Sequence, residues 1–140
     1  MKEIKFRVWD KQLKVFLYQL PEKHHLEWER FDVQQYTGLT DKNEKNVYEK
    51  DIIKYSYPAG YSIAIVEFGY YDNGELYEDR EAGYGWYIKK IFEYSKNNKE
   101  FYKQYNEVYV FHPKEYPLNS WEFEVIGNVF ENPEKLQVEI

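Results

Sequence analysis

The chain opens on an alternation of apolar and polar side chains. Ile4, Phe6 and Val8 fall on one side of an extended segment and Lys5, Arg7 and Trp9 on the other, the two-residue period of a half-buried strand. KVFLYQL, residues 14–20, reads as its partner, with DKQL between them as the turn. Pro21 stops that partner because it has no N–H to give a continuing ladder. A third run, ERFDVQQY at 29–36, sets Phe31, Val33 and Gln35 on one side.

A polar corner follows in YTGLTDKNEKNVYEKDIIKY, residues 36–55. Gly38 is free to take a positive φ, Asp41 and Asn43 can bond their own backbone, and Lys42, Glu44 and Lys45 keep the loop wet. NVYEKDIIKYSY then resumes as two short extended pieces around residues 49–51. After a turn at Pro58, Ala59 and Gly60, SIAIVEFGYY at 62–71 sets Ile63, Ile65 and Glu67 against Ala64, Val66 and Phe68. DNG at 72–74 ends it, and the acidic stretch 75–85 with Gly83 and Gly85 suggests a mobile loop.

The segment 88–105 fits two descriptions. GWYIKKIF continues as a strand, whereas Ile88, Ile91, Phe92 and Tyr94 or Ser95 roughly follow helical spacing, weakened by Asn97 and Asn98. NEVYVFHP at 106–113 and WEFEVIGNVF at 121–130, alternating at Phe123, Val125 and Gly127, are further strands, and Pro133 in ENPEKL suits a helical turn. Many short strands between closely spaced turns predict a mainly β, β-rich α+β chain built as a barrel or sandwich, with one short helix if 88–105 is helical. Its 140 residues carry no repeat, linker or low-complexity segment, so residues 1–140 form one domain.

Composition sharpens this picture at two points. Sixteen Tyr, nine Phe and four Trp make an aromatic pool that favours pleated surfaces and cross-strand pairs. Such a pool either covers the sheet or forms a surface for sugars, bases or proteins, and covering the sheet is the simpler role in a small β domain. The net charge of −6 weighs against broad nucleic-acid affinity, and its distribution is uneven. Residues 67–82 hold six acids, Glu67, Asp72, Glu75, Glu78, Asp79 and Glu81, against Arg80, whereas 86–105 holds five Lys against Glu93 and Glu100. These opposite stretches are solvated faces, or they pair within a chain, between subunits, or with different partners.

Catalytic constellations are not recognisable. Cys is absent, which removes thiol nucleophiles, thiolate zinc sites and disulfides and fits a reducing compartment. The amino-terminal MKEIKFRVWDKQ is charged throughout, and nothing approaches a membrane-spanning apolar run, so a cytoplasmic protein is expected. Three His (24, 25 and 112) and four Ser (56, 62, 95 and 120) include no Gly-flanked nucleophile elbow, leaving a Ser–His triad unsupported. His24 and His25 with Glu22 and Glu27 offer metal ligands, but adjacent residues of an extended chain point to opposite faces. Glu78, Asp79 and Glu81 beside Trp86 offer paired carboxylates, as any chain with 25 acids would. No phosphate loop or dinucleotide fingerprint is present, so no cofactor, no metal and no catalytic residue is assigned.

Four pieces in order resemble one family: FRVWD at 6–10, QYTGLTDKN with VYEKDII at 35–53, VEFG at 66–69, and EVIGNVFENPEKL at 124–136. Together they resemble the YopX family of phage and prophage proteins over essentially the whole chain. The resemblance implies a β-rich fold containing a small SH3-like barrel with additional strands, a phage or prophage setting in a bacterial host, and no established biochemical activity. It marks Gly38, Asp51, Gly127, Asn128 and Pro133 as structural positions. The family pattern usually has Gly where this chain has Glu44 and Lys50; both tolerate positive φ poorly, so these turns are expected to be built differently, with Asn43 left-handed.

The function expected on these grounds is a non-enzymatic accessory role exercised through protein contacts, with a host protein or by homo-oligomerisation. The candidate contact residues are Lys89, Lys90, Tyr94, Lys96, Lys99, Tyr102, Lys103 and Tyr105, in the basic aromatic segment. The alternative is nucleic-acid binding by the same segment, with Lys on phosphates and Tyr stacked on bases.

Overall fold

The computed structural model describes residues 5–18, 28–72, 82–103, 108–110 and 122–137, and these form two antiparallel sheets, one of them a half-barrel. The smaller sheet runs β2 (Val15–Leu17), β1 (Phe6–Asp10), β3 (Phe31–Thr40), β4 (Asn46–Tyr48). The larger runs β10 (Glu122–Asn128), β5 (Asp51–Tyr57), β6 (Gly60–Asp72), β7 (Ala82–Ser95), β8 (Glu100–Lys103), with β9 (Val108–Val110) also pairing β7. Among the described residues the helical content is two short 3-10 turns, at Trp28–Arg30 and Pro133–Leu136. The mainly β expectation holds.

One open reading is decided and one expected feature is corrected. Of the two options for 88–105, the described residues 88–103 take the extended one, a strand, a turn at 96–99 and a second strand. The helix-like spacing comes from a β-bulge: Ile63 faces Phe92 and Ala64 faces Lys90, so Ile91 is an extra residue and the apolar phase shifts there. The stretch 82–85, expected in a loop, is the start of β7, where Gly83 faces Tyr71 and Gly85 faces Gly69. The rest of that expected loop, residues 75–81, lies outside the described residues.

Burial follows the pairing. β5 lies between β10 and β6, and its DII run is buried on both faces. Ile53 and Tyr55 pack with Val47, Ala64, Val66 and Ile88 on one side, while Ile52 joins Ile63 and Phe92 on the other. Side chains of this size contribute about 1.5–3 kcal/mol each on full burial. β1 was expected to be half-buried, yet only Phe6 of its five residues is exposed. The face of Arg7 and Trp9 is covered because Trp9 stacks on Phe130, 5.5 Å away, and Arg7 lies against the Phe16 and Tyr48 rings, while on the other face Asp10 is held by Arg30. In β3 the deeper side carries Gln34 and Tyr36, opposite Val33, because Gln34 turns inward to bond Arg7.

The polar corner closes the gap between the sheets. Asp41 Oδ1 accepts the N–H groups of Asn43 and Lys45 at 2.8 and 2.9 Å, while Oδ2 accepts the Val125 N–H of β10 at 2.8 Å. This loop leaves its fourth residue left-handed, so Glu44 has φ +64°, and Lys50 in the next turn has φ +70°. Both turns therefore keep the conformation that glycine would favour, and the expected shift to Asn43 does not occur. Gly38 itself has φ +88° in β3, as expected.

Candidate functional site

Two groups of polar and aromatic residues stand out, one buried and one exposed. The buried one centres on Asp51. Arg7 Nη2 lies 2.7 Å from Asp51 Oδ1 without the alignment of a hydrogen bond, so the contact acts as an ion pair. Asp51 Oδ2 accepts the Tyr48 N–H at 2.8 Å, while Arg7 donates to Gln34 Oε1 at 2.9 Å and to the Glu49 carbonyl at 3.2 Å. Burial pushes the Asp51 carboxyl above its usual range, opposed by the Arg7 charge. Nearby, Arg30 grips Asp10 with two 2.8 Å hydrogen bonds and brings its pKa down to about 2. Each of these groups faces a partner inside the protein, so they hold strands together and leave no face for a substrate.

The end of β10 is similar. Asn128 Oδ1 accepts the Phe130 and Glu131 N–H groups at 3.0 and 2.8 Å, Pro133 opens the 3-10 turn, and Lys135 Nζ donates to the Ile126 carbonyl. A Cβ on Gly127 would stand 2.5 Å from Asn132 Oδ1 and 2.9 Å from its Cβ, so only glycine fits. Gly38, Asp51, Gly127, Asn128 and Pro133 thus each have a structural task.

The exposed group lies along β7. Between Ala82 and Ser95 this strand pairs with β6 over its whole length, but β5 pairs with β6 only as far as Ile65. Residues 67–72 and 82–87 therefore continue as a long antiparallel ribbon beyond the β5 ladder. On the face that carries Val66 and Ile88 into the core, the ribbon continues with Phe68 opposite Trp86 and Tyr70 opposite Tyr84. Inside the protein this face is covered; further out it is open, with Phe68 51% exposed, Tyr70 56% and Tyr84 82%. The ring pairs meet at 4.9 Å and 65°, and at 5.6 Å and 59°. Crossed rings form a ridge rather than the flat platform on which a base or sugar stacks.

The other end of β7 holds the expected contact residues, and the structure splits them. Lys89 is exposed, whereas Lys90 points to the core side, is 7% exposed, and pairs with Glu93 at 2.9 Å. Glu93 also accepts the Tyr57 hydroxyl at 2.7 Å, and these contacts hold its pKa down against the effect of burial. Tyr94 is half-buried, its ring 5.3 Å from Tyr61 and 4.9 Å from Phe101. Lys96 and Lys99 are exposed together in the β7–β8 turn, beside exposed Phe101 and Tyr102. Tyr102 is tied locally, accepting from Asn98 at 2.9 Å and donating to Glu100 at 3.0 Å. The Lys103 backbone pairs with Phe92, and Tyr105 lies outside the described residues, as do the three His and Glu78, Asp79 and Glu81. Among the described residues no cluster of metal-binding side chains occurs, and no helix is long and apolar enough to cross a membrane.

The family model described as YopX protein matches residues 15–137. The chain belongs to the YopX family. A crystal structure of protein EF1440 from Enterococcus faecalis is similar to this YopX chain at 20% identity, covering 98% of this chain and 100% of the other with a TM-score of 0.50. That likeness concerns the fold. No curated protein matches the chain. Sequence alone did not locate the ridge of this YopX chain, because Gly83 and Gly85 resemble loop residues. The signal available was the alternation Tyr84, Trp86, Ile88, which matches Phe68 and Tyr70 across the hairpin.

Proposed function

We propose that this YopX chain is a non-enzymatic phage or prophage accessory protein that acts in the bacterial cytoplasm by binding protein through the long hairpin of β6, β7 and β8. The observation that carries this reading is the ridge of Phe68, Tyr70 and Tyr84, which leaves the core at half-buried Trp86 and stands in solvent. Exposed aromatic rings with little rotamer entropy to lose are favourable anchors for a protein contact. The nucleic-acid alternative keeps Lys96, Lys99 and Tyr102 on one turn but loses Lys90 to Glu93.

Capture of partners from host lysate on the tagged full chain, with half the sample nuclease-treated, tests the proposal. One or two stoichiometric proteins should survive nuclease and be lost with Tyr70→Ser/Tyr84→Ser, while binding that vanishes with nuclease would replace it by the nucleic-acid reading. Recovery of the bait alone would leave self-assembly as the protein contact.

A further inference from the structure

The ribbon of β6 and β7 has one bare rung. Gly69 faces Gly85, their φ angles are +148° and +157°, and among the described residues nothing lies within 4 Å of where a Cβ on either would stand. Glycine takes such φ values at no steric cost and other residues rarely do, so both strands can bend at the same rung. On the side nearer the core the ribbon is fixed. The Lys50 N–H donates to the Val66 carbonyl at 2.7 Å, the Lys50 ammonium pairs with Glu67 at 2.6 Å, β9 pairs with β7 from Tyr87 onward, and Trp86 packs on the core cluster. Beyond the glycines, residues 70–72 and 82–84 pair with one another. Tyr71 and Tyr87 stand on the glycine face, one on each side of the bare rung. Their rungs are about 13 Å of strand apart, yet their ring centroids lie 6.0 Å from each other at 46°. The rings therefore lean together over the glycines. Gly83 makes room for this, because the Tyr71 hydroxyl lies 3.2 Å from where a Cβ on Gly83 would stand.

We infer that this rung is a hinge, and that the contact between Tyr71 and Tyr87 holds the ribbon bent toward the glycine face. A ring pair of this kind favours the closed position about two- to tenfold, which leaves the open one populated. Phe68 and Trp86 stay with the body, while Tyr70 and Tyr84 move with the outer rungs. Because those four rings are on the face opposite the glycines, the bend splays the two pairs apart and opening brings them into line. The consequence for binding rests on the reading of the ridge as a contact surface. A protein that touches both ring pairs at once selects the straight ribbon, whereas one that touches the outer pair alone leaves the equilibrium where it is, since only differential affinity shifts populations. The hinge itself is independent of what the ridge binds.

Double electron–electron resonance on the full chain is the test. The sequence has no Cys, so spin labels on Ala82→Cys/Lys89→Cys, both exposed positions of β7 on either side of the rung, report the ribbon alone. Tyr71→Ser should move the main distance outward by a few ångström and broaden it, because the bend loses the contact that holds it. Gly69→Val/Gly85→Val should move it outward and narrow it, since β-branched side chains demand the ordinary strand φ and fill the space beneath the rings. If that pair of changes prevents folding, Tyr87→Ser takes its place and should act as Tyr71→Ser does. A distance that neither Tyr71→Ser nor Tyr87→Ser moves overturns the inference, as does a shift inward. Outward shifts in a chain whose captured partners vanish with nuclease uphold the hinge and sink the protein-binding reading of the ridge. An unmoved distance in a chain that still retains a host protein sinks the hinge alone.

Discussion

The corner around Asp51 and the ridge around Tyr84 are both rich in the residue types that functional sites use, yet one is closed and the other open. In the corner, Arg7 donates to Gln34 and to the Glu49 carbonyl and pairs its charge with Asp51, and the Phe16 and Tyr48 rings lie against the guanidinium. Along the ridge, ring pairs at similar spacing leave most of the Tyr84 surface in water. A buried charge that meets its partner holds the fold, whereas an aromatic surface that meets none among the described residues is available for contact. Composition does not separate the two; burial does.

The largest effect should come from opening the corner. Asp51→Ala leaves the Arg7 guanidinium buried without its counter-ion, and loss of one partner of a buried pair costs about 3–5 kcal/mol. Urea unfolding should show the unfolding free energy falling by that amount; a cost below about 1 kcal/mol would mean the pair is replaceable. The two acids here respond to pH with opposite sign. Asp10, lowered to about 2 by Arg30, contributes stability that is present above its ordinary 3.8 and is lost as pH falls through about 2, so Asp10→Asn should approach wild-type stability there. Asp51 is raised by burial, so its titration destabilises the fold as pH rises above the ordinary carboxylate range. An Asp10→Asn deficit that persisted unchanged at pH 2 would contradict the first assignment.

Next in size is Gly127→Ala at the end of β10. The added methyl displaces the Asn132 side chain, whose Oδ1 accepts the Asn128 N–H at 3.3 Å, and overpacking of this kind costs about 1–3 kcal/mol. Thermal unfolding should show the loss, and a second change, Asn132→Gly, should recover part of it by removing the clash. Failure of that recovery would place the strain elsewhere.

How much of this was legible follows from what carries the information. Strands such as DIIKY and EVIGNVF declared themselves because burial on a sheet imposes a pattern on neighbouring residues. The Ile91 bulge broke that pattern by one residue and made a strand resemble a helix. Arg7 and Gln34 pair across 27 residues and Asp41 reaches Val125 across 84, relations that no local window contains. The basic segment was legible as charge but not as geometry, since adjacent Lys89 and Lys90 leave the strand on opposite faces. At Glu44 and Lys50 the residue types pointed away from a left-handed turn that the surrounding hydrogen bonds impose.

That conflict predicts a smaller, favourable effect. Glu44 is exposed at φ +64°, and a non-glycine residue there gives up about 1–2 kcal/mol, of which glycine's greater unfolded freedom cancels about half. Glu44→Gly should therefore stabilise the chain by about 0.5–1 kcal/mol. Lys50→Gly should gain little, because it also removes the 2.6 Å ion pair with Glu67. Equal gains from both, measured by urea unfolding, would show that the ion pair contributes nothing.

The smallest expected change in stability is at the ridge. Tyr84 is 82% exposed and among the described residues its ring meets Tyr70, so Tyr84→Ser should move the unfolding free energy by less than about 0.5 kcal/mol. If it instead unfolds the protein as Asp51→Ala does, the ring is a structural part of the ribbon and the contrast between corner and ridge collapses. If stability holds while association is lost, one substitution separates folding from contact. The ribbon projects past the β5 ladder, so its outer rings can be altered without opening the two clusters that hold the sheets together.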